Sequence, residues 1–259
     1  MDLIKLEQQF EPFQKGQRLI IRDDLYDTSE LQQIFEIAAK KKIKIYLIDT
    51  GRLSSESLEQ FPDYRFSFYT SDVSRPEFQE LIQLKRILKP KGCPLYYLIQ
   101  GDLEDDSQLF NHLELFDSVI ISSREKPRAL KLLARLAEEI THSRSSFVYY
   151  HHKNLEENLA DVGLKKCWIH VSNKYLEEQA EIMIMDLIKT IRKNKGHIVI
   201  HVDRLQPYPF LKTLVQGGAF LVFSLPPLEP SSNLFLLAET LRKKTLPEKS
   251  YYLYKEIMV

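Results

Sequence analysis

A self-similarity with a period of about 50 residues is the feature that most constrains this chain. Four times, an aliphatic or aromatic strand runs into a polar tip and then a leucine. The copies are IYLIDTGRL, LYYLIQGDL, VYYHHKNL and IVIHVDRL, which end at Leu53, Leu103, Leu155 and Leu205. A period of this length indicates a repeated structural unit. Each copy follows a strand and a long helical segment, so the unit is strand, long helix, strand, short helix, and four units predict eight strand–helix pairs.

Runs rich in β-branched and aromatic residues predict nine strands. They are Arg18–Asp24, Ile43–Asp49, Arg65–Asp72, Pro94–Asp102, Asp117–Ser123, Phe147–Lys153, Cys167–Asn173, His197–Asp203 and Ala219–Leu225. Between them, apolar residues at helical spacing predict helices. We expect Thr28 or Ser29 to cap the helix after the first strand, and Pro76 and Pro127 to open the helices after the third and fifth strands. Three further helices are expected at 108–116, 177–193 and 232–243.

Strands that are apolar on both faces and alternate with helices are typical of a parallel sheet covered by helices. The repeat favours an α/β fold of the (β/α)8 TIM-barrel-like kind, with long and short helices alternating and one of the nine strands plugging or flanking the barrel. An open doubly wound parallel sheet is the alternative. No Gly/Ser-rich linker interrupts the chain, so we expect a single domain over 1–259, with an N-terminal segment at 1–17 and a C-terminal tail at 245–259 docked on the body.

Composition excludes several classes of function. Thirty-six basic residues balance 36 acidic ones, which gives no indication of nucleic-acid or membrane binding. No run of 18 apolar residues is present, and Cys93 and Cys167 lie inside apolar strand patterns. We therefore expect a soluble cytoplasmic protein with buried thiols, no disulfide framework and no zinc cluster.

Side-chain alternation predicts which residues face the barrel interior, because the opposite row must be apolar where it meets the helices. On the seventh strand this rule places His170 and Ser172 inward beside Trp168. On the eighth strand it places His201 and Asp203 inward. Catalytic residues of such barrels lie at the C-terminal ends of the strands, so these histidines are the first candidates for chemistry.

The other strands give less certain assignments. The fourth strand places Tyr96 and Asp102 inward, and the first contributes Arg22. The fifth strand offers Ser122 and Arg124 by one alternation and Ser123 by the other. The sixth strand is ambiguous, because Tyr149, His151 and Lys153 compete with Tyr150 and His152 for the interior.

The candidate catalytic residues are His151, His170, His201, Asp203 and Lys153. A histidine beside a carboxylate could move protons at a substrate carbonyl or hydroxyl, whereas structural hydrogen bonding to tyrosines is the alternative role. Lys153, or Lys174 beyond the next strand, could form a Schiff base if desolvated, although a solvated lysine at the rim fits the pattern equally well.

The candidate substrate-binding residues are Arg22, Tyr96, Asp102 and Arg124. An arginine could clamp a carboxylate with two hydrogen bonds, whereas an ion pair with a strand-end acid such as Asp24 is the alternative. Strand-end aspartates also resemble a magnesium rim, but for Asp49 and Asp72 we expect helix N-caps instead. No HxH or HExxH spacing is present, so we expect no metal and no cofactor.

From Ser145 onward, the order of features resembles the second half of type I 3-dehydroquinate dehydratases, a family of class-I-aldolase-like TIM barrels. The resemblance rests on FVYYHHKN, whose histidine falls where that family places its catalytic histidine, and on SLPPLEPSSNLFLLAETL, which resembles its last strand and closing loop. It implies a barrel lyase. The family's Schiff-base lysine lies within the next strand, where CWIHVSN has none, and Lys174 is slightly beyond. The family's late substrate-binding arginine and its closing glutamine have no clear match in this sequence, although Arg204 is near the place of the arginine.

The leading hypothesis is a barrel enzyme of lyase or isomerase type that acts on a small polar, oxygen-rich metabolite by His/Asp general acid–base chemistry. One alternative is a barrel that has lost catalysis and serves as a binding or assembly module. A second is a metal-dependent hydrolase. The expected partner is a small-molecule ligand, with no nucleic acid and no membrane, and a homodimer is left open.

Overall fold

The structure is a computed structural model that describes Pro12 and residues 15–61, 63–104, 108–124, 126–176, 180–204 and 206–223. These residues form nine strands, and each coincides with a predicted strand to within a few residues. The strands are β1 (Arg18–Arg22), β2 (Lys44–Ile48), β3 (Ser67–Ser71), β4 (Leu95–Ile99), β5 (Ser118–Ser122), β6 (Ser146–His151), β7 (Cys167–Ser172), β8 (His197–Val202) and β9 (Phe220–Phe223).

Helices separate most of the strands. The α-helices among the described residues are α1 (Thr28–Lys41), α2 (Ser55–Glu59), α3 (Phe78–Leu88), α4 (Leu130–His142), α5 (Ala180–Lys193) and α6 (Tyr208–Gly217). The short helix predicted at 108–116 is instead two 3-10 turns, Gln108–Asn111 and Leu113–Leu115. The helix predicted at 232–243 and the tail at 245–259 lie outside the described residues.

The starts of three helices differ from the prediction. Helix α1 is capped by Asp27, whose side chain accepts from the Glu30 backbone while the Glu30 side chain accepts from the Asp27 backbone, so the expected Thr28 or Ser29 cap is wrong. Helices α3 and α4 begin two and three residues after the prolines expected to open them, behind the extended residues Glu77 and Ala129. A proline fixes only its own φ, and helix formation also requires helical geometry in the residues that follow it.

The described residues divide into two compact units: those up to Asp102 together with Asn111–Val119, and those within 103–110 together with those from Ile120 onward. In the first unit β1, β2, β3 and β4 pair in chain order, and each pairing is parallel. In the second unit β6, β7, β8 and β9 do the same. A doubly wound sheet would reverse its strand order at a switch point, and neither unit does so. The fold is therefore α/β and TIM-barrel-like, while the expectation of a single domain stays a prediction.

Apolar helix faces pack on the strands within each unit. In the first unit the fully buried Phe35 of α1 lies 4.8 Å from Phe66 and 5.0 Å from Phe61, measured between ring centroids. In the second unit the Sγ of Cys167 on β7 approaches the Ala137 carbonyl of α4. Alternate strand residues therefore point toward the helices, and the other row lies on the opposite face of the sheet.

A repeated hydrogen bond joins the tips of neighbouring strands, and we call it the tip hydrogen bond. In each case the first residue after an odd-numbered strand has a polar side chain that accepts from the backbone N–H just beyond the next even-numbered strand. The pairs are Asp23 with Thr50 (2.9 Å), Asp72 with Gln100 and Gly101 (2.8 and 2.7 Å), Ser123 with His152 (2.9 Å), and Asn173 with Asp203 and Arg204 (2.8 and 3.1 Å).

The four acceptors Asp23, Asp72, Ser123 and Asn173 are about 50 residues apart, the period of the sequence repeat. A parallel pair leaves the backbone N–H groups beyond its last ladder bond without a strand partner, and each acceptor supplies one. The first leucine of the repeat shares in this device, since the Leu53 N–H also donates to Asp23. The repeat thus fixes the tips on which functional side chains are carried.

Candidate functional site

The face of the second unit that points away from the helices carries the predicted histidines. Register pairs Tyr150 of β6 with His170 of β7, and Ser172 of β7 with His201 of β8. Because paired residues of parallel strands share a face, His170 and His201 lie on one face with Tyr150. This confirms the alternation predicted for the seventh and eighth strands.

His170 and His201 form a buried hydrogen-bonded pair. The Nδ1 of His170 lies 2.9 Å from the Nε2 of His201, and their exposed fractions are 1% and 0%. The Tyr150 ring covers His170, with 4.3 Å between the ring centroids. In such a contact one nitrogen donates and the other accepts, which requires at most one of the two rings to be protonated on both nitrogens.

Burial keeps both rings neutral at physiological pH. It lowers the pKa of His201 to about 4, against a smaller opposing effect of the Asp203 charge. Burial and the neighbouring His201 lower the pKa of His170 well below its usual range. The Nε2 atom of His170 is buried and has no hydrogen-bond partner among the residues that the structure describes.

His152 lies at the rim of the same face, one residue beyond β6. Burial, together with the positive charges of Arg124 and Lys174, lowers its pKa to about 4, whereas the Asp203 charge has the opposite effect. Both cations are exposed and Asp203 is half-buried. The rim therefore combines a neutral imidazole, two cations and a carboxylate at the C-terminal ends of β5 to β8.

Asn173 and Ser172 hold Asp203 in place. The fully buried Asn173 accepts from the Asp203 and Arg204 backbones and donates to the Arg204 carbonyl at 2.7 Å. The Ser172 hydroxyl donates to the Asp203 carboxylate. Sequence reasoning offered Ser123 only by one of the two alternations of the fifth strand, and it did not single out Asn173. The 50-residue spacing of the acceptors is a signal that could have found them.

His151 and Lys153 lie apart from the histidine pair. Register places His151 beside Val171, on the face that meets the helices, where its Nε2 lies 2.9 Å from the Asn154 carbonyl and its Nδ1 lies 3.3 Å from the Tyr149 hydroxyl. Lys153 forms an ion pair with Glu156 at the surface. The ambiguity of the sixth strand is thereby resolved in favour of His152 as the residue near His170.

The predicted substrate-binding residues of the first unit have other neighbours. Arg22 donates to both carboxylate oxygens of Asp24 at 3.1 and 2.8 Å in an exposed pair. Tyr96 is buried and stacks on Tyr69 with 4.5 Å between centroids. Asp102 is exposed. Arg124 belongs to the second unit, where its charge acts on His152.

The expected N-cap roles of Asp49 and Asp72 are wrong. Helix α2 is capped by Ser54, and Asp72 accepts the tip hydrogen bonds described above. Asp49, whose side chain is 0% exposed, accepts from the Arg75 guanidinium through both oxygens at 3.0 Å and from Thr70 at 2.7 Å. A buried carboxylate without a charged partner costs more free energy than a helix N-terminus without a cap, so Asp49 pairs with Arg75.

The described residues contain neither a metal-binding cluster nor a membrane-spanning helix. No group of three His, Cys, Asp or Glu side chains is arranged to hold a metal ion in this part of the chain. None of the described helices combines the length and the hydropathy needed to cross a bilayer.

No family model matches the chain, and no curated protein matches its sequence. Solved structures that align with the chain include a truncated 3-deoxy-D-arabino-heptulosonate 7-phosphate synthase from Thermotoga maritima, at 13% identity and a TM-score of 0.37, over 89% of this chain and 85% of that one. The 3-dehydroquinate dehydratase from Aquifex aeolicus VF5 has the same identity and TM-score, over 89% of this chain and 99% of that one. A D-psicose 3-epimerase from Clostridium cellulolyticum H10 is 10% identical at a TM-score of 0.35, over 90% and 93%.

These similarities are weak. One of the structures is a 3-dehydroquinate dehydratase, the family that the second half of the sequence resembles, but at a TM-score of 0.37 it shows no specific family.

Proposed function

We propose that the chain is a barrel enzyme of lyase or isomerase type, which moves protons on a small, oxygen-rich metabolite that carries a negative charge. The observation that supports this most is the grouping of His152, Asp203 and the His170–His201 pair on one face at the strand tips. Imidazole and carboxylate groups at this position are the usual means of general acid–base catalysis. His152 and Asp203 are the groups that we assign to contact with substrate.

The rim charges favour an anionic substrate. Arg124 and Lys174 would attract a carboxylate or phosphate and could form charge-assisted hydrogen bonds with it. The same negative charge would raise the pKa of His152 from about 4 toward neutrality, because an opposite charge stabilises imidazolium. His152 would then accept a proton from the substrate only when the site is occupied.

The buried His170–His201 pair would support this chemistry without touching the substrate. A proton shared between His170 and His201 fixes the tautomer of both rings, and His201 is close enough to Asp203 to be affected by its charge. Asn173 and Ser172 are positioning residues, since they orient the Asp203 backbone and carboxylate.

The experiment is a screen of small hydroxy and keto acids in D2O, followed by proton NMR. A substrate of an acid–base enzyme exchanges a carbon-bound proton for deuterium. We expect Asp203→Asn to abolish exchange while binding persists, and Arg124→Gln to weaken binding. Lys189→Gln on the exposed face of α5 is the matched control. Exchange that is unchanged in Asp203→Asn would contradict the assignment.

A binding module without catalysis is the second candidate. It is favoured by the complete burial of His170 and His201, which keeps both rings from direct contact with a ligand. The same screen separates the two, because a binding module would show saturable binding of an acid with no deuterium exchange in the wild-type protein.

We also propose a cytoplasmic location. The thiols of Cys93 and Cys167 are both free and buried, and burial raises the pKa of Cys167 to about 12. Free buried thiols suit a reducing compartment. Fractionation of cells that express the full chain would test this, and recovery with the membrane or outside the cell would contradict it.

A further inference from the structure

A cavity of about 460 Å³ lies at the opposite end of β8 from the histidine rim. Its described lining comes from the end of α5, the start of β8, the end of α6 and the start of β9: Arg192, Lys195, Gly196, His197, Val215, Gly218, Ala219 and Phe220. Its volume is within the range of small-molecule sites. Since His197 begins β8 and Asp203 follows its end, six residues of strand, about 20 Å, separate this cavity from the rim.

One wall of the cavity is cationic and held in place. The Nη1 of Arg192 donates to the Gly217 carbonyl at 2.9 Å, and the arginine side chain lies across Gly218, where an added Cβ would come within 2.4 Å of its Cδ. Gly218 has a φ of +103°, a conformation that suits glycine. Lys195 supplies a second exposed cation, and the described residues that line the cavity include no acid.

The other wall is aromatic. The His197 ring stacks on the Trp168 ring, with 3.9 Å between centroids and an interplanar angle of 20°. The centroid of the Phe220 ring lies 6.0 Å from that of His197 and 5.6 Å from that of Trp168. Burial lowers the pKa of His197, which leaves a neutral ring able to stack or to donate one hydrogen bond. Val215 and Ala219 add apolar surface.

We infer that this cavity binds a planar ring that bears an anionic group, with the ring against His197 and Phe220 and the anion at Arg192 and Lys195. Guanidinium recognises carboxylate and phosphate through two parallel hydrogen bonds, which a fixed arginine presents without further loss of side-chain freedom. The aromatic wall contributes stacking that a saturated ring cannot match. The site is independent of the acid–base function proposed above.

Trp168 is the only tryptophan of the chain and reports on the cavity through its contact with His197. The full-length protein would be titrated with benzoate, phenyl phosphate, cyclohexanecarboxylate and inorganic phosphate up to about 10 mM, with Trp168 emission and calorimetry as readouts. We expect saturable binding of the two aromatic anions and weaker binding of the saturated acid. Equal affinities for benzoate and cyclohexanecarboxylate would overturn the aromatic part of the inference. So would inorganic phosphate binding as tightly as phenyl phosphate.

Variants test the residues. Arg192→Gln should weaken benzoate binding by about tenfold or more, because it removes a charge-assisted hydrogen bond. Arg192→Lys, which keeps the charge, should weaken it less. Lys189→Gln, three residues before Arg192 on α5 and paired with Asp186 at the surface, should leave it unchanged because Lys189 does not line the cavity. Circular dichroism would establish that each variant is folded, and full affinity in folded Arg192→Gln would overturn the site.

Discussion

His201 shows how burial of one imidazole makes stability depend on pH. In the folded chain burial lowers its pKa to about 4 from an ordinary 6.5, so the unfolded chain takes up the proton first as the pH falls. The free energy of unfolding should therefore be highest above pH 6.5. It should fall by about 1.4 kcal/mol per pH unit from this group between pH 6.5 and 4.

Urea denaturation between pH 5 and 7.5 would measure this effect, because carboxylates titrate mainly below that window. His201→Gln should reduce the slope by about 1.4 kcal/mol per pH unit, and the remaining slope comes from the other buried histidines, whose pKa values burial also lowers. His142→Gln, at an exposed residue at the end of α4, is the control. An equal slope in wild type and His201→Gln would show that His201 does not titrate in the window.

Asp23 illustrates a carboxylate whose role is to accept backbone hydrogen bonds. It is fully buried and accepts from the Thr50 N–H and hydroxyl and from the Leu53 N–H, while burial raises its pKa. Asp23→Ala should reduce the free energy of unfolding by about 3 kcal/mol, because it leaves these donors without an acceptor. The half-exposed Asp24 is the control.

Denaturant melts of Asp23→Ala and Asp24→Ala would be compared directly. Asp24 pairs with Arg22 at the surface, where solvent screens the interaction, so its replacement should cost far less. Similar losses in the two variants would contradict the role of the Asp23 tip hydrogen bond.

At the scale of elements, the Asp49–Arg75 pair connects β2 to the segment after β3. The Arg75 guanidinium also donates to the Leu53 carbonyl, so it joins two tips. Arg75→Met or Asp49→Asn alone should cost about 3–5 kcal/mol, because each leaves a buried polar partner uncompensated. The double variant should cost less than the sum of the two by about 2 kcal/mol.

A double-mutant cycle on unfolding free energies measures this coupling. A coupling near zero would mean that Arg75 and Asp49 act independently. Folded Arg75→Lys, which keeps the charge but loses the two-pronged geometry, is the matched comparison and should fall between wild type and Arg75→Met.

Strand positions could be predicted from the sequence, because alternating apolar rows and β-branched runs are local signals. Strand faces could be predicted for β7 and β8, where one row is uniformly apolar. They could not be predicted for β6, where tyrosine and histidine occupy both rows, and only the register with β7 assigns Tyr150 and His152 to the face of His170. The ion pair of Asp49 was missed because its partner follows a different strand.

At the scale of the whole molecule, the tip hydrogen bond recurs in every repeat. Backbone N–H groups just beyond a strand usually exchange rapidly, but those of Thr50, Gly101, His152 and Asp203 are held by side chains. We therefore expect all four to be protected from hydrogen exchange well above their neighbours in the same loops.

Amide exchange followed by NMR would test this. Asp23→Ala should remove the protection of Thr50 and leave that of Asp203 intact, because each tip hydrogen bond belongs to its own repeat. Protection at only one of the four positions would show that the repeat is a pattern of sequence without a common physical role.

The placement of these bonds also bears on where the chain tolerates a cut. Every tip hydrogen bond joins an odd-numbered strand to the next even-numbered one, so none of the four bridges a boundary between repeats. A circular permutant that opens just after Asp102 would break no such bond, whereas one that opens within α1 would separate Asp23 from Thr50 along the chain. The boundaries between repeats, which no tip hydrogen bond crosses, are therefore the places where new termini should disturb the structure least.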